Sequence, residues 1–526
     1  MKRITPFLLL GLICGVLFFW RLGSVPLIGL DEGLYAGCAR EMAASGNYIV
    51  PTIDGEPFFD KPPLCYWLQA ASMNTFGVNS FAVRLPSAVA ALLLVFLTVF
   101  IGDRLFGRRA GLLAGFALAC AMLTTGLARM CLLDQAFTLT IAAALGAFIL
   151  SYLNILPRWG YLVFWAAMGL SVMVKGPAGA VLIVITIAAF LLIRRQGRKF
   201  AEMMPLIGMV IFIAIVLPWY VLVERETGGT FLREFIVHQN LQRAMGEDFH
   251  HNMPFYFYLP IFIVGFFPWS VFVPLAWRSY VKIKPSDKLG EAALFMAIWI
   301  VSIVGIFSVS RSKLPSYILP IFPASAMLVG LTWDRAILSN KLYALKRYTA
   351  ACAVIAIGIM AALLIAESFL PRPIPGLTSA LVPMSVSLVT GTVLATVLLR
   401  MNRAVGAFAA LCGGIAVFLM IAAGIGLPIA ARSEAEPIMK IAQHIGKIAS
   451  TKDYVFSYKL KPGQPALGFY AQRPISARDT ASELTRALDS HRSALVVTQK
   501  NRLHELPKGG KLLVKVKQYS LYRFGR

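Results

Sequence analysis

Thirteen apolar stretches divide the chain, near 5–20, 84–101, 110–127, 136–153, 160–174, 177–193, 204–223, 257–277, 291–309, 317–333, 348–366, 380–399 and 404–427. Runs of this kind, nearly free of charge, are what a helix needs to cross the hydrocarbon core of a bilayer. The pattern predicts a mostly α, polytopic membrane protein with about thirteen transmembrane helices over residues 1–430. After Pro428 the long runs stop. Tyr454–Tyr458, Ala494–Thr498 and Lys511–Lys517 read as short strands with helical stretches such as Ser482–Leu488 between them, which predicts a small soluble α/β domain over 431–526.

Between the first two apolar runs lies a polar island, residues 21–84, with six carboxylates and four basic side chains. So many charges beside lipid are costly unless they serve a function. Asp31 and Glu32 open a segment in which Leu34, Tyr35, Cys38 and Met42 recur at helical spacing. This predicts amphipathic helical structure lying on the membrane, with the acidic pair at its N-terminal end. Helix capping is the plain alternative for that pair.

Composition agrees with the pattern. Hydrophobic residues make up 58% of the 526, charged residues 14%, and the mean hydropathy is +0.72, more apolar surface than a soluble chain of this size buries. The net charge of +25 raises nucleic acid as a partner, but no basic helix or aromatic-basic platform is present. The basic residues mark topology instead. Arg104/Arg108/Arg109, Arg158, Arg194/Arg195/Arg198/Lys199, Arg278/Lys282/Lys284/Lys288, Arg335/Lys341/Lys346/Arg347 and Arg400/Arg403 fall on alternate connections, the side that holds Lys2 and Arg3. Positive charge near a span resists translocation, so the island, 224–256 and everything after about 430 are expected on the opposite, external side.

Phe7 to Trp20 has the apolar core of a signal peptide, yet no small-x-small site follows it, and it reads as an uncleaved anchor. The C-terminal domain holds eighteen Lys/Arg against seven Asp/Glu, which suits either an anionic lipid surface or simple solvation. Of seven cysteines, Cys38 and Cys65 share the external island, where a disulfide is one reading and buried thiols the other.

Lys61, between Asp60 and Pro62-Pro63, sits on backbone that proline holds nearly fixed, a rigid cation suited to a phosphate; snorkelling to the headgroups is the alternative. On the same face are Asp134 at the start of the fourth span and Lys175 before Gly176-Pro177. So are His238, Asn240 and Arg243, with His250-His251 following, and Arg311 and Lys313 at another span junction. Cations and carboxylates converging on one external mouth fit group transfer from a lipid phosphate. The cations stabilise the leaving phosphate, and a carboxylate orients the sugar or deprotonates the acceptor.

The ordered motifs Asp31-Glu32-x-x-Tyr35-Ala-x-x-Ala-Arg40-Glu-Met42, Phe59-Asp60-Lys61-Pro62-Pro63, Arg84-Leu-Pro86, Asp134, Lys175-Gly-Pro177, His238-x-Asn240-x-x-Arg243, Pro268-Trp269 and Ser312-Lys313-Leu-Pro-Ser-Tyr317 cover roughly 20–325. They closely resemble the GT-C glycosyltransferases typified by the aminoarabinose transferases of lipid A and related to protein O-mannosyltransferases. The resemblance implies a bacterial inner-membrane enzyme of the GT-C fold, with its active site and C-terminal domain on the periplasmic side. Such an enzyme takes a sugar from a polyprenyl phosphate, without a cofactor, and passes it to lipid A or another lipopolysaccharide acceptor. By position Asp31 matches the principal catalytic carboxylate, Asp134 a second essential acid and Lys61 a residue near the carrier phosphate, while Arg243 and Lys313 match cationic motif positions. Glu32 is grouped with the acids, and Lys175, Tyr35, His238 and Arg311 with the substrate-binding residues.

Asp60 stands where the aminoarabinose enzymes usually carry Glu, and Ala244 where Phe is common, so the sugar stays open. Asp60 with His250 or His251 is a weak candidate for a structural metal, without metal-ligand spacing. A protein or other glycan O-glycosyltransferase is the sister reading. A lipid or glycan flippase is the reading from another class, and it would tolerate loss of Asp31.

Overall fold

The computed structural model describes residues 4–235, 253–282, 285, 287–366, 374–432, 435–450, 453–460 and 464–525. The chain begins with α1 (Thr5–Cys14), continued by a π turn to Phe19, and then forms α2 (Gly29–Ser45), a two-stranded ribbon of β1 (Thr52–Ile53) and β2 (Glu56–Pro57), and α3 (Leu64–Phe76). Next come α4 (Ser80–Phe106), α5 (Arg108–Ala119), α6 (Met122–Ala128), α7 (Asp134–Tyr152), α8 (Gly160–Lys175), α9 (Ala178–Ile193) and α10 (Pro205–Glu226).

All thirteen apolar stretches fall on helices. Among the described residues eight helices are long and apolar enough to cross a membrane, or ten if the bent pairs Arg108–Ala119/Met122–Ala128 (63°) and Tyr258–Gly265/Trp269–Tyr280 (110°) each count as one span. The other three, Thr5–Phe19, α8 and α9, are shorter. Their breaks are local. Lys175 ends α8 because Gly176 takes φ 81°, a conformation open to glycine at little cost, and Pro177 then starts α9.

The C-terminal unit is a five-stranded sheet in the order β4 (Ser476–Arg478), β3 (Tyr454–Tyr458), β5 (Ser493–Gln499), β7 (Tyr519–Gly525), β6 (Lys511–Val516). β3 runs parallel to both β4 and β5, whereas β7 is antiparallel to β5 and β6. The helix Ala435–Ile448 buries Ile438, Ile441, Ala442 and Ile445, one face at helical spacing, against β6 and β7. Three of the strands are those legible in the sequence; β4 and β7 are additional.

This unit sits on the island and changes the expectation for α2. Where one polar face was expected, α2 is buried on most of its surface, between α3 and the helix Gln464–Ala471. Gly33 allows that approach, since a Cβ there would lie 2.7 Å from the backbone nitrogen of Ala466 and 3.1 Å from Cβ of Pro465. The Tyr470 hydroxyl accepts from the Leu27 amide at 2.8 Å and lies 2.7 Å from Ser80 Oγ. Asp54 in the β1–β2 turn accepts the Ile475 amide at 2.9 Å.

Candidate active site

Glu32 and Asp31 are neighbours with opposite environments. Glu32 is fully buried, and Arg84 donates to both its oxygens, from Nε at 2.8 Å and from Nη2 at 2.7 Å. The amides of Cys131 (2.7 Å) and Ile28 (2.8 Å) complete the carboxylate's shell; Ile28 is the N-cap residue of α2, so Glu32 caps its own helix. Arg84 spends its other donors on the carbonyls of Leu22, Val25 and Pro26. Arg129 likewise collects the carbonyls of Leu17 and Trp20 at the end of the first apolar helix. The Glu32–Arg84 pair therefore ties the 22–28 segment, α2, α4 and Cys131 together, and Arg129 adds the end of the first helix. Every lone pair of the Glu32 carboxylate is thus engaged by Arg84 and backbone, the environment of an anchor.

Asp31, in the first turn of α2, is exposed. Tyr35, one turn further along, is buried, and burial is the largest cause raising its phenol well above the usual range. The charges of Asp60, Asp31 and Asp134 push in the same direction, followed by Tyr317. Three carboxylates from separate segments thus converge on one phenol.

Lys61 is buried, with its ammonium 2.8 Å from Asp60 Oδ1 and 2.9 Å from the Asp60 carbonyl. The Tyr35 hydroxyl donates to Asp60 Oδ2 at 3.4 Å. Burial and this pairing disfavour the snorkelling alternative, since the side chain is held down by its neighbour.

A second pair closes the other side. Asp134 lies in the first turn of α7 and Lys175 in the last turn of α8, and Nζ of Lys175 sits 2.8 Å from Asp134 Oδ1. Each charge occupies the helix end whose dipole favours it. The same ammonium stands over the rings of Tyr317 (4.6 Å) and Phe137 (5.2 Å). Tyr317 stood in the quoted motif without a role, and nothing in its local sequence signalled the contact with Lys175.

Lys313 is buried and bonds the carbonyls of Ser310 and Met253 (3.1 Å for the latter), so it fastens the span junction. Arg311 is exposed at that junction. Arg243, His238, Asn240, His250 and His251 lie outside the described residues. Cys38 and Cys65 are buried free thiols, the second of the two readings of the island cysteines. No group of three or more His, Cys, Asp or Glu is arranged to hold a metal among the described residues, and the Asp60 carboxylate is engaged by Lys61 and Tyr35.

The arrangement offers two lysines that can meet a phosphate by exchanging their carboxylate partners, and three carboxylates and two phenols that can orient a sugar.

Residues 60–221 match the family model described as dolichyl-phosphate-mannose-protein mannosyltransferase. The undecaprenyl phosphate-alpha-4-amino-4-deoxy-L-arabinose arabinosyl transferase of Aeromonas salmonicida is 32% identical over 309 residues, 58% of this chain and 56% of that protein. The protein of the same description from Pseudomonas aeruginosa is 30% identical over 335 residues, 63% of this chain and 60% of that one. The chain spans little more than half the length of these curated relatives. Over nearly its whole length it superposes on the crystal structure of ArnT from Cupriavidus metallidurans bound to undecaprenyl phosphate, with a TM-score of 0.83, 24% identity and coverage of 99% of this chain and 98% of that one. The two chains share a fold, which is the GT-C fold expected from the motifs.

Proposed function

We propose that the protein is an integral-membrane glycosyltransferase that takes a sugar, aminoarabinose or a related one, from a polyprenyl phosphate and passes it to lipid A or another lipopolysaccharide acceptor on the periplasmic face of the inner membrane. The observation that carries this reading is the convergence of the Asp60–Lys61 and Asp134–Lys175 pairs on Tyr35 beside Asp31, in a fold shared with a chain bound to undecaprenyl phosphate.

In this reading Lys61 and Lys175 neutralise the charge that develops on the departing lipid phosphate, where a low-dielectric site makes such charges count most. Tyr35 and Asp134 hold the sugar. Asp31, exposed at the mouth, meets the acceptor. An acceptor phosphate is already an anionic nucleophile and leaves Asp31 only orientation, whereas an acceptor hydroxyl makes it the general base. The distribution of Lys and Arg between alternate connections supports the external placement of this mouth.

A protein or other glycan as acceptor is the second reading, favoured by the mannosyltransferase family model over 60–221. Mass spectrometry of lipid A tests the two. A sugar increment that disappears on deletion and returns with the wild type, but not with Asp31→Asn or Lys61→Ala, supports the lipid A reading. Unchanged lipid A with a lost protein or surface-glycan modification moves the acceptor to the second. If full activity persists in both variants, those residues leave the mechanism.

A further inference from the structure

On the side of the molecule away from Asp31, the first turns of α8, the length of α9 down to its last turn and the first turns of α10 border a cavity of about 590 Å³. Its wall is apolar, with Trp165, Met168, Val184, Ala188, Met209 and Phe212 among the residues that form it. Val184, Leu192, Phe200 and Met209 on its border remain outwardly exposed, so it opens toward the region where lipid chains lie. It is a built feature. A short 3-10 helix, Gly197–Met203, roofs it, fastened by the Trp165 indole donating to the Met203 carbonyl at 2.8 Å and by Arg158 donating to the carbonyls of Glu202 and Ala201. Gly208 admits the Trp165 ring, which a Cβ would meet at 2.1 Å.

The roof carries the charge. Within the cluster Arg194, Arg195, Arg198 and Lys199, two members are committed: Arg194 to Glu291 at 2.7 Å and Lys199 to Glu202 at 2.8 Å. Arg195 and Arg198 are exposed and have no ion-pair partner among the described residues. Arg198 directly follows Gly197, which borders the cavity, and Arg195 lies in the short connection between the bordering residues Leu192 and Gly197. Two exposed guanidinium groups on the segment that borders an apolar cavity at a span end match a molecule with a phosphate head and hydrocarbon chains.

We propose that this cavity and the Arg195/Arg198 rim form a binding site for one anionic glycerophospholipid, with its phosphate on the arginines and an acyl chain in the cavity. The site is separate from the proposed transfer site and does not depend on that activity. A zwitterionic phospholipid brings the same phosphate, but its own ammonium offsets that charge beside the two guanidinium groups, so the proposal predicts selectivity for a headgroup of net negative charge.

The test uses the full-length protein, delipidated in a neutral detergent and titrated with phosphatidylglycerol or phosphatidylcholine, with retained lipid read by native mass spectrometry. The wild type is expected to retain one phosphatidylglycerol in preference to phosphatidylcholine. The variant Arg195→Gln/Arg198→Gln, which changes only exposed side chains, is expected to bind phosphatidylglycerol roughly thirtyfold more weakly, given the usual worth of a basic residue near an anionic lipid. Ala188→Phe, which fills the cavity, should abolish retention of both lipids. Equal retention of the two lipids by the wild type, or unchanged phosphatidylglycerol affinity in the double arginine variant, overturns the proposal. If Ala188→Phe does not fold, the arginine variant alone decides it.

Discussion

Lys175 closes on Asp134 at 2.8 Å across the ends of two neighbouring helices, and its ammonium stands 4.6 Å from the Tyr317 ring. Both side chains are largely buried, at 14% and 10% exposure, so removing one partner strands the other charge. Lys175→Met is expected to lower stability by about 3 kcal/mol and activity by about a hundredfold. The double variant Asp134→Asn/Lys175→Met should recover much of the stability but none of the activity. Thermal unfolding and turnover measured on the three proteins separate the two effects; recovered activity in the double variant would reduce the pair to a structural contact.

Adjacent acids should behave differently. Asp31→Asn changes an exposed side chain, and its stability is expected within about 0.5 kcal/mol of wild type while turnover falls by roughly a hundredfold. Glu32→Gln removes the charge that answers the buried Arg84 and should cost about 3–5 kcal/mol. Unfolding curves for the two variants decide this, and equal destabilisation would refute the division of roles.

The contact between the C-terminal unit and α2 rests on close approach. Gly33→Val must displace Pro465 and Ala466, whose atoms lie at 3.1 and 2.7 Å from the new Cβ. The variant should expose the 464–475 region to protease and reduce turnover, because the helix that carries Asp31 and Tyr35 loses its cover. Tyr470→Phe deletes the hydroxyl shared by Leu27 and Ser80 and should cost about 1 kcal/mol. Limited proteolysis and unfolding temperature provide the readouts, and an unaltered cleavage pattern in Gly33→Val would show that the interface yields without consequence.

Within that unit, Lys459, Tyr458 and Arg502 donate to Glu505 and hold its carboxyl down at about 2. A carboxyl depressed in the folded state stabilises the fold above its unfolded value of 4.5, and that contribution disappears as pH falls toward 2. Glu505→Gln is expected to lower the unfolding temperature of the full chain at neutral pH, with the gap to wild type closing as pH drops from 4.5 toward 2. A gap independent of pH would assign the loss to packing instead of charge.

Periodicity and charge placement in the chain by themselves determined the membrane class, the position of every apolar helix and three of the strands, because hydrophobic runs and their basic flanks are local properties. The same holds for Lys61, fixed by its own prolines and its neighbour Asp60. What tertiary structure decided are contacts between residues far apart in the chain. Which of Asp31 and Glu32 turns inward depends on Arg84, fifty-two positions away. That Lys175 serves Asp134 and Tyr317 depends on how α7, α8 and the 315–321 turn meet. The expectation of an amphipathic α2 failed for the same reason. A helix's polarity records everything that covers it, and the outer face of α2 is covered by Pro465 and Ala466, more than four hundred residues downstream. Local sequence carries the propensity of each segment, but the partner that buries a charge or a face is chosen only when distant segments pack.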